Sequence, residues 1–388
     1  MLGERFGYKR YMSSSITQSK LFVRPTQLVV ERERLAENYQ LIKKYCGRKV
    51  LAVLKANAYG HGILETAKKL EQVEADYFGV ALLEEGILLR ENGIQTPILV
   101  FGGIIFEQVD EFIEHNLTLT ASSIDKLQAI EKTARRMRKK AKVHLKIDTG
   151  MGRIGVQPRS VRSFFMAILR CEWIEFEGIY SHFACADSLD LEYTHIQLSR
   201  FQEVLDIADQ MGIGFKLRHI CNSGGILQLP EGYFDMVRAG ILLYGIYPSP
   251  ELERKISVQP ALTWKTQVVY FKVIQAGQAI SYGANWRANA MSRIVTLPVG
   301  YGDGYHRIMT GKAEVLIRGE RYPVVGNICM DQLMVNIAMG TAYNGDEVVL
   351  LGKQGENEIT VEQLALWAQT IPYEILTSIN LRVSRIYQ

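Results

Sequence analysis

Lys55 stands where an apolar stretch, Val50-Leu51-Ala52-Val53-Leu54, gives way to the polar and glycine-bearing Ala56-Asn57-Ala58-Tyr59-Gly60-His61-Gly62. The apolar run reads as a fully buried strand, and the glycines mark the turn that ends it. A lysine at the carboxyl end of such a strand sheds part of its hydration. That disfavours the ammonium and leaves an amine that is nucleophilic nearer neutral pH and able to condense with a carbonyl. The same position also suits a lysine that is simply solvated in a loop. Farther along, Lys146-Ile147-Asp148-Thr149-Gly150-Met151-Gly152-Arg153-Ile154-Gly155 carries two cations on a glycine-rich run, and Glu177-Gly178-Ile179-Tyr180-Ser181-His182 brings an imidazole to a strand end. Cys221-Asn222-Ser223-Gly224-Gly225 and Val237-Arg238-Ala239-Gly240-Ile241 pair a hydroxyl and a guanidinium with small residues, which let backbone N–H groups approach a phosphate.

The elements that must position these residues alternate regularly from Thr26 to about Gly245. Strands are expected over Val50-Lys55, Tyr77-Ala81, Pro97-Phe101, Leu117-Thr120, Val143-Ile147, Ile174-Ser181, Leu217-Cys221 and Met236-Leu243. Stretches such as Gly62-Gln72, Leu83-Asn92, Phe106-Asn116 and Ile124-Lys140 show the three-to-four spacing of amphipathic helices. Eight strands separated by helices imply a closed parallel (β/α)8 TIM barrel, whose chemistry gathers at the carboxyl ends of its strands. The polar residues above fall at those ends, and the loops after strands seven and eight are where barrels usually hold a phosphate. Gly150, Gly152 and Gly155 also fit G-x-G-x-x-G, the mark of a dinucleotide site. That match is expected to be false, because Pro158 obstructs the required helix and Lys146 and Asp148 put charge in what would be an apolar core strand. A charged pair capping a barrel strand is the plainer alternative.

Past Tyr247-Pro248-Ser249-Pro250 short strands follow one another without helices: Thr263-Ile274, Arg293-Pro298, Ala313-Ile317, Tyr322-Val325, Gln332-Ile337 and Glu347-Leu351, with a helix near Val361-Thr370. The expected organisation is an N-terminal extension and lead-in over residues 1–25, a barrel over 26–258 and a smaller all-β C-terminal domain over 259–388. A chain of 388 residues accommodates both. A net charge of +4 gives no case for nucleic acid as a partner, and the basic run Arg135-Lys142 reads as a solvated helix face. Five cysteines, an odd number without C-x-x-C spacing, point to a reducing compartment and away from a disulfide framework or a zinc site. No apolar run approaches the roughly 18 residues of a membrane span. The basic, serine-bearing first twenty residues lack the hydrophobic core of a secretory signal, so a cytoplasmic location is expected, with an organelle address or a start at Met12 as the two readings of the leader.

Val53-Leu54-Lys55-Ala56-Asn57-Ala58-Tyr59-Gly60-His61-Gly62 resembles, nearly letter for letter, the cofactor-lysine motif of bacterial alanine racemases, and the likeness extends from about Thr26 to Arg385. The resemblance implies pyridoxal 5′-phosphate on Lys55 as cofactor. Tyr59, Ser223 and the backbone of Gly240 and Ile241 would then hold its phosphate, with Asn222 beside them. Arg238 would face the pyridine nitrogen and His182 would pack against the ring. Arg153 would reach the phenolic oxygen and the substrate carboxylate, steadied by a carbamylated Lys146. In Ala279-Ile280-Ser281-Tyr282-Gly283-Ala284, Tyr282 becomes a second catalytic base that enters the site of a neighbouring copy, although a tyrosine there is otherwise a packing residue. Tyr301, in Pro298-Val299-Gly300-Tyr301-Gly302-Asp303-Gly304-Tyr305, resembles a corridor residue. Met330 and Asp331, in Asn327-Ile328-Cys329-Met330-Asp331-Gln332, resemble substrate contacts donated across a homodimer.

The expected activity is interconversion of L-alanine and D-alanine by two bases, supplying D-alanine for peptidoglycan. Alternatives are a racemase of other or broader specificity, serine included, a decarboxylase on similar architecture, and a non-catalytic carrier of the cofactor. Arg238 disfavours the decarboxylase, because a guanidinium is a donor only and leaves the ring a weak electron sink. The β module disfavours a carrier. One departure is expected to matter: Leu381 falls where most relatives are read as having a tyrosine near the phosphate, implying a looser hold on the cofactor or tolerance of a larger substrate.

Overall fold

The computed structural model describes residues 24–388, so the extension expected over residues 1–25 lies, except for its last two residues, outside the described residues. Eight parallel strands, Lys49–Val53, Tyr77–Val80, Ile98–Val100, Leu119–Ala121, Ala141–Lys146, Ile174–Tyr180, Leu217–His219 and Met236–Ala239, form two four-stranded arcs. Backbone bonds close them into a barrel. One seam is made by Val100 N–H to Thr118 O (3.1 Å) and Thr118 N–H to Ile98 O (2.8 Å), the other by Asp235 N–H to Arg218 O (3.1 Å) and Arg238 N–H to Cys221 O (3.0 Å). Strands such as Tyr77–Val80 are buried along their whole length, as parallel strands covered on both faces must be. The last strand is shorter than expected: it ends at Ala239, and Ile241–Tyr244 winds into a 3₁₀ turn.

The second module is one long sheet, ordered Tyr270–Ile274, Ser292–Leu297, Leu333–Asn336, Glu320–Val325, Glu314–Ile317, Glu347–Gln354, Leu262–Gln267, Gln27–Val30 and Ser384–Tyr387. Two expectations are corrected here. The stretch Thr263-Ile274 is two strands at distant positions in the sheet, broken at Val268 and Val269. The boundary at residue 26 also moves, because Gln27–Val30 belongs to this sheet and not to the barrel. It pairs antiparallel with Leu262–Gln267 and parallel with Ser384–Tyr387, burying Leu28, Val29 and Val30. The chain crosses to the barrel only with the helix Arg32–Cys46. The helix Pro372–Ser378 returns from this module to rest on the turn after Lys55. A Cβ at Gly60 would lie 2.2 Å from Leu376 O, so only glycine permits the approach. Among the described residues no helix is long and apolar enough to cross a membrane.

A polar line threads the barrel interior. Arg238 Nη1 donates to His219 Nδ1 (2.8 Å), His219 Nε2 lies 2.9 Å from His144 Nδ1, and His144 Nε2 lies 3.3 Å from Glu177 Oε2. Tyr77 Oη donates to the same carboxylate at 2.7 Å. Both histidines are fully buried, and burial lowers the pKa of each, His219 well below the ordinary value. Arginine can only donate, so the ring protons all point toward Glu177. Burial pushes the Glu177 carboxyl up, but hydrogen bonds from His144 and Tyr77 prevail and bring it down to about 2. A depressed carboxyl stabilises the fold above its unfolded value of 4.5 and loses that contribution as pH falls toward 2. Glu177→Gln is therefore expected to lower Tm by about 2 °C at pH 7. The gap between variant and wild type should narrow between pH 4.5 and pH 2 in thermal melts.

Candidate active site

After the strand Lys49–Val53 the backbone enters an unusual turn. Ala56, Asn57, Ala58 and Tyr59 have φ of 53°, 55°, 52° and 51°, a full left-handed turn without glycine. Each such residue costs roughly 1–2 kcal/mol. Local bonds offset the strain: Ala58 N–H to Leu54 O (2.7 Å), Gly60 N–H to Ala56 O (3.1 Å), Gly62 N–H to Asn57 O (2.9 Å) and Ile63 N–H to the Asn57 side chain (2.9 Å). The consequence is that Lys55 and Tyr59 line the same cavity, of about 920 Å³, at the carboxyl ends of the barrel strands. Burial, then the nearby charge of Arg153, lowers the pKa of the Lys55 ammonium.

The cavity gathers every barrel residue singled out from sequence: Lys55, Tyr59, Lys146, Arg153, His182, Asn222, Ser223, Arg238, Gly240 and Ile241. Asn222 accepts from Gly225 N–H (3.1 Å) and so shapes the loop that presents Ser223. Ser223 Oγ accepts from the N–H groups of Gly240 (3.1 Å) and Leu242 (3.3 Å). A Cβ on Gly240 would stand 3.1 Å from Tyr59 Oη and 3.5 Å from Ser223 Oγ, so glycine leaves open a hollow bounded by two hydroxyls. That donor set fits a phosphate. Lys55 in the same cavity fits an aldehyde, so the site suits pyridoxal 5′-phosphate. Arg238, 3% exposed, donates to Ser181 O (2.8 Å), Ile220 O (2.9 Å) and His182 Nδ1 (3.0 Å), besides His219. Burial brings it down to about 10, so it stays charged at neutral pH.

Lys146 is 4% exposed, donates to Ile147 O (3.3 Å) and sits 4.8 Å from the centre of the Tyr180 ring. Burial and the charge of Arg238 hold its pKa well below the ordinary lysine value. The glycine run after it is a loop and not a dinucleotide fold. Asp148 Oδ1 accepts from Gly150 and Gly152 N–H (3.1 and 3.0 Å), and Val156 N–H returns to Lys146 O (2.9 Å), carrying Arg153 to the cavity wall.

Four predicted residues do not line this cavity: Tyr282, Tyr301, Met330 and Asp331. Tyr282 is 73% exposed, yet its turn is rigidly built. Ser281, Gly283 and Ala284 have φ of 68°, 75° and 47°, and Asn327 Nδ2 donates to Tyr282 O (2.6 Å). Backbone bonds from Tyr301 to Cys329 O (3.1 Å) and from Gly302 to Met330 O (2.9 Å) join the Tyr301 loop to the loop that carries Asn327, Met330 and Asp331. Asp331 accepts from Arg382 (2.5 Å), which also donates to the buried Asp303 (2.7 Å). The four therefore form one outward-facing group on the β module.

The expectation attached to Leu381 is corrected. Leu381 is 59% exposed and away from the cavity, whereas Tyr373, at the start of the Pro372–Ser378 helix, lines it with its ring centre 6.1 Å from that of Tyr59. A phenol does stand on that side of the site, and the argument for a looser cofactor hold falls. Sequence reasoning missed Tyr373, Asp187 and Glu374 on the cavity wall. Of these only Tyr373 carried a local signal, a preceding proline that starts a helix.

The family model described as alanine racemase, N-terminal domain, matches residues 30–248, and that of the alanine racemase C-terminal domain matches residues 261–387. The chain is 43% identical to the alanine racemase of Carboxydothermus hydrogenoformans over 94% of its own length and 100% of that protein's. The alanine racemase structure from Clostridium difficile superposes with a TM-score of 0.89 at 40% identity, covering 95% of this chain and 97% of that one. A histidine racemase from Leuconostoc mesenteroides superposes at 0.87 with 29% identity, covering 94% and 98%. A barrel whose cavity gathers Lys55, Tyr59, Ser223 and Gly240 continues into a β module, the whole chain has full-length counterparts in sequence and in structure, and the chain belongs to the alanine racemase family.

Proposed function

We propose that this chain interconverts L-alanine and D-alanine with pyridoxal 5′-phosphate on Lys55, as a homodimer whose sites are completed by the neighbouring copy. The observation that carries the reading is the meeting, in one cavity, of the Lys55 amine, the Tyr59–Ser223–Gly240 hollow and Arg238. When bound, the cofactor draws electrons from the substrate α-carbon and makes its C–H acidic. Lys55, with its lowered pKa, takes or returns that proton on one face. Inversion needs a second group on the opposite face, and Tyr282 of the partner subunit is the candidate. A free phenol has a pKa near 10, so the cations at the cavity would have to favour its ionised form. Arg238 would meet the pyridine nitrogen with a group that has no lone pair to accept a proton, which keeps electron withdrawal modest.

Arg153 would bind the substrate carboxylate. A buried Lys146 with a depressed pKa is a good acceptor of CO2, and the resulting carbamate would hold Arg153 in place. Met330 and Asp331 of the partner subunit would border the substrate, and Tyr301 of the partner subunit its approach. In the cell the product would be D-alanine for peptidoglycan, made in the cytoplasm. The test is incubation with pyridoxal 5′-phosphate and L-alanine or L-serine in turn, followed by chiral separation. D-alanine in excess of D-serine is the expected result; equal or greater D-serine would establish broader specificity, and neither product would leave a carrier.

A further inference from the structure

The left-handed turn after Lys55 is bonded at its first residue by a side chain from a neighbouring loop. Glu85, in the first turn of the helix Leu83–Glu91, accepts from Ala56 N–H through Oε1 at 2.7 Å. Through Oε2 it accepts from Ala81 (2.9 Å) and Leu82 (3.2 Å) N–H at the end of the next barrel strand. A carboxylate that only capped its own helix would need the second pair alone. The bond to Ala56 crosses between neighbouring loops and grips the first residue of the strained run, directly after Lys55.

We propose that Glu85 is a positioning residue for Lys55: its carboxylate clamps Ala56 N–H to the Ala81–Leu82 loop, holding the left-handed turn that aims the amine into the cavity, and its charge steadies the ammonium. The proposal rests on the reading that Lys55 carries pyridoxal 5′-phosphate. The charged groups that bear on Lys55 are Arg153 and Arg238, which lower its pKa after burial does, and Glu85, which alone raises it. Lys146, His182 and Tyr59 also line the cavity. Without Glu85 the turn loses an anchor on its strained side, and a displacement near 1 Å in a reacting group costs about 100-fold in rate.

The experiment uses the full chain, stripped of cofactor with hydroxylamine and mixed with pyridoxal 5′-phosphate across a range of pH. In capture, the Lys55 nitrogen bonds to the aldehyde carbon and the carbonyl oxygen leaves as water. Absorbance gives the rate, and borohydride reduction followed by peptide mass identifies the lysine. Glu85→Gln keeps one acceptor and loses the charge, and should capture about 10-fold more slowly at the plateau, with its pH midpoint moved downward and Tm nearly unchanged. Glu85→Ala should be slower still; if it does not fold, Glu85→Gln decides alone. An unmoved midpoint with wild-type rate, or a lower Tm as the only change, overturns the assignment while leaving the proposed function standing. A wild-type chain that captures no cofactor on Lys55 sinks both.

Discussion

Replacing Lys55 with alanine is expected to lower D-alanine formation by at least about 10⁴-fold, because under the proposed function one side chain would supply both the covalent attachment and the proton transfer on one face. Nothing else in the cavity substitutes for it. Lys146 is the other amine there, but it lies beneath the ring of Tyr180 with its hydrogen bond directed at Ile147 O. The loss should be chemical and not structural. Ala56 and Ala58 already adopt the left-handed turn, and the bonds that hold it are made by main-chain atoms, Asn57 and Glu85. Tm should therefore change little. Added methylamine should restore part of the turnover, since a small amine can occupy the vacated space and carry the proton. A loss smaller than tenfold, measured by chiral chromatography, would show that residue 55 is not the attachment point.

How much of this was legible beforehand depended on how local the cause was. Parallel barrel strands are buried on both faces, so they show as unbroken apolar runs, and polar residues that stand where those runs stop become candidates for the site. Lys55 and His182 can be located for that reason, whereas Arg238, inside the strand Met236–Ala239, is picked out by the family resemblance. The strand Gln27–Val30 looks the same in sequence, but its partners are Leu262–Gln267 and Ser384–Tyr387, at the far end of the chain, and four residues carry too little periodicity to reveal them. The turn at Ala56–Tyr59 was hidden for the opposite reason. Alanine-rich letters favour a right-handed helix, and tertiary contacts override that preference: Glu85 on Ala56, the Pro372–Ser378 helix over Gly60, and the stacking of Tyr59 on Tyr244 at 4.8 Å. Glu85 itself reads as an ordinary acidic residue in a helix's first turn. Leu381 and Tyr373 show the same limit from the other side, since eight positions near the C-terminus separate an exposed loop residue from one inside the cavity, and only the packing of the last helix on the barrel tells them apart.

Tyr282→Phe should reduce turnover by about 10²–10⁴-fold, the usual worth of a positioned proton-transfer group. Exchange of the α-proton with solvent should survive better from one enantiomer than from the other, because under the proposed function Lys55 would still serve its own face. The sharper result comes from mixing chains. In its own chain Tyr282 is outside the cavity, 73% exposed on a turn fixed by Ser281, Gly283 and Asn327. If a second copy receives it, Lys55→Ala and Tyr282→Phe chains co-expressed in equal amounts should assort so that about half of the dimers are hybrids. Each hybrid holds one site lacking both groups and one site with both intact, so the mixture should recover about a quarter of wild-type activity from two parents that are nearly inactive. Were both groups drawn from one chain, every hybrid site would lack one of them, and the mixture would be no better than the average of its parents.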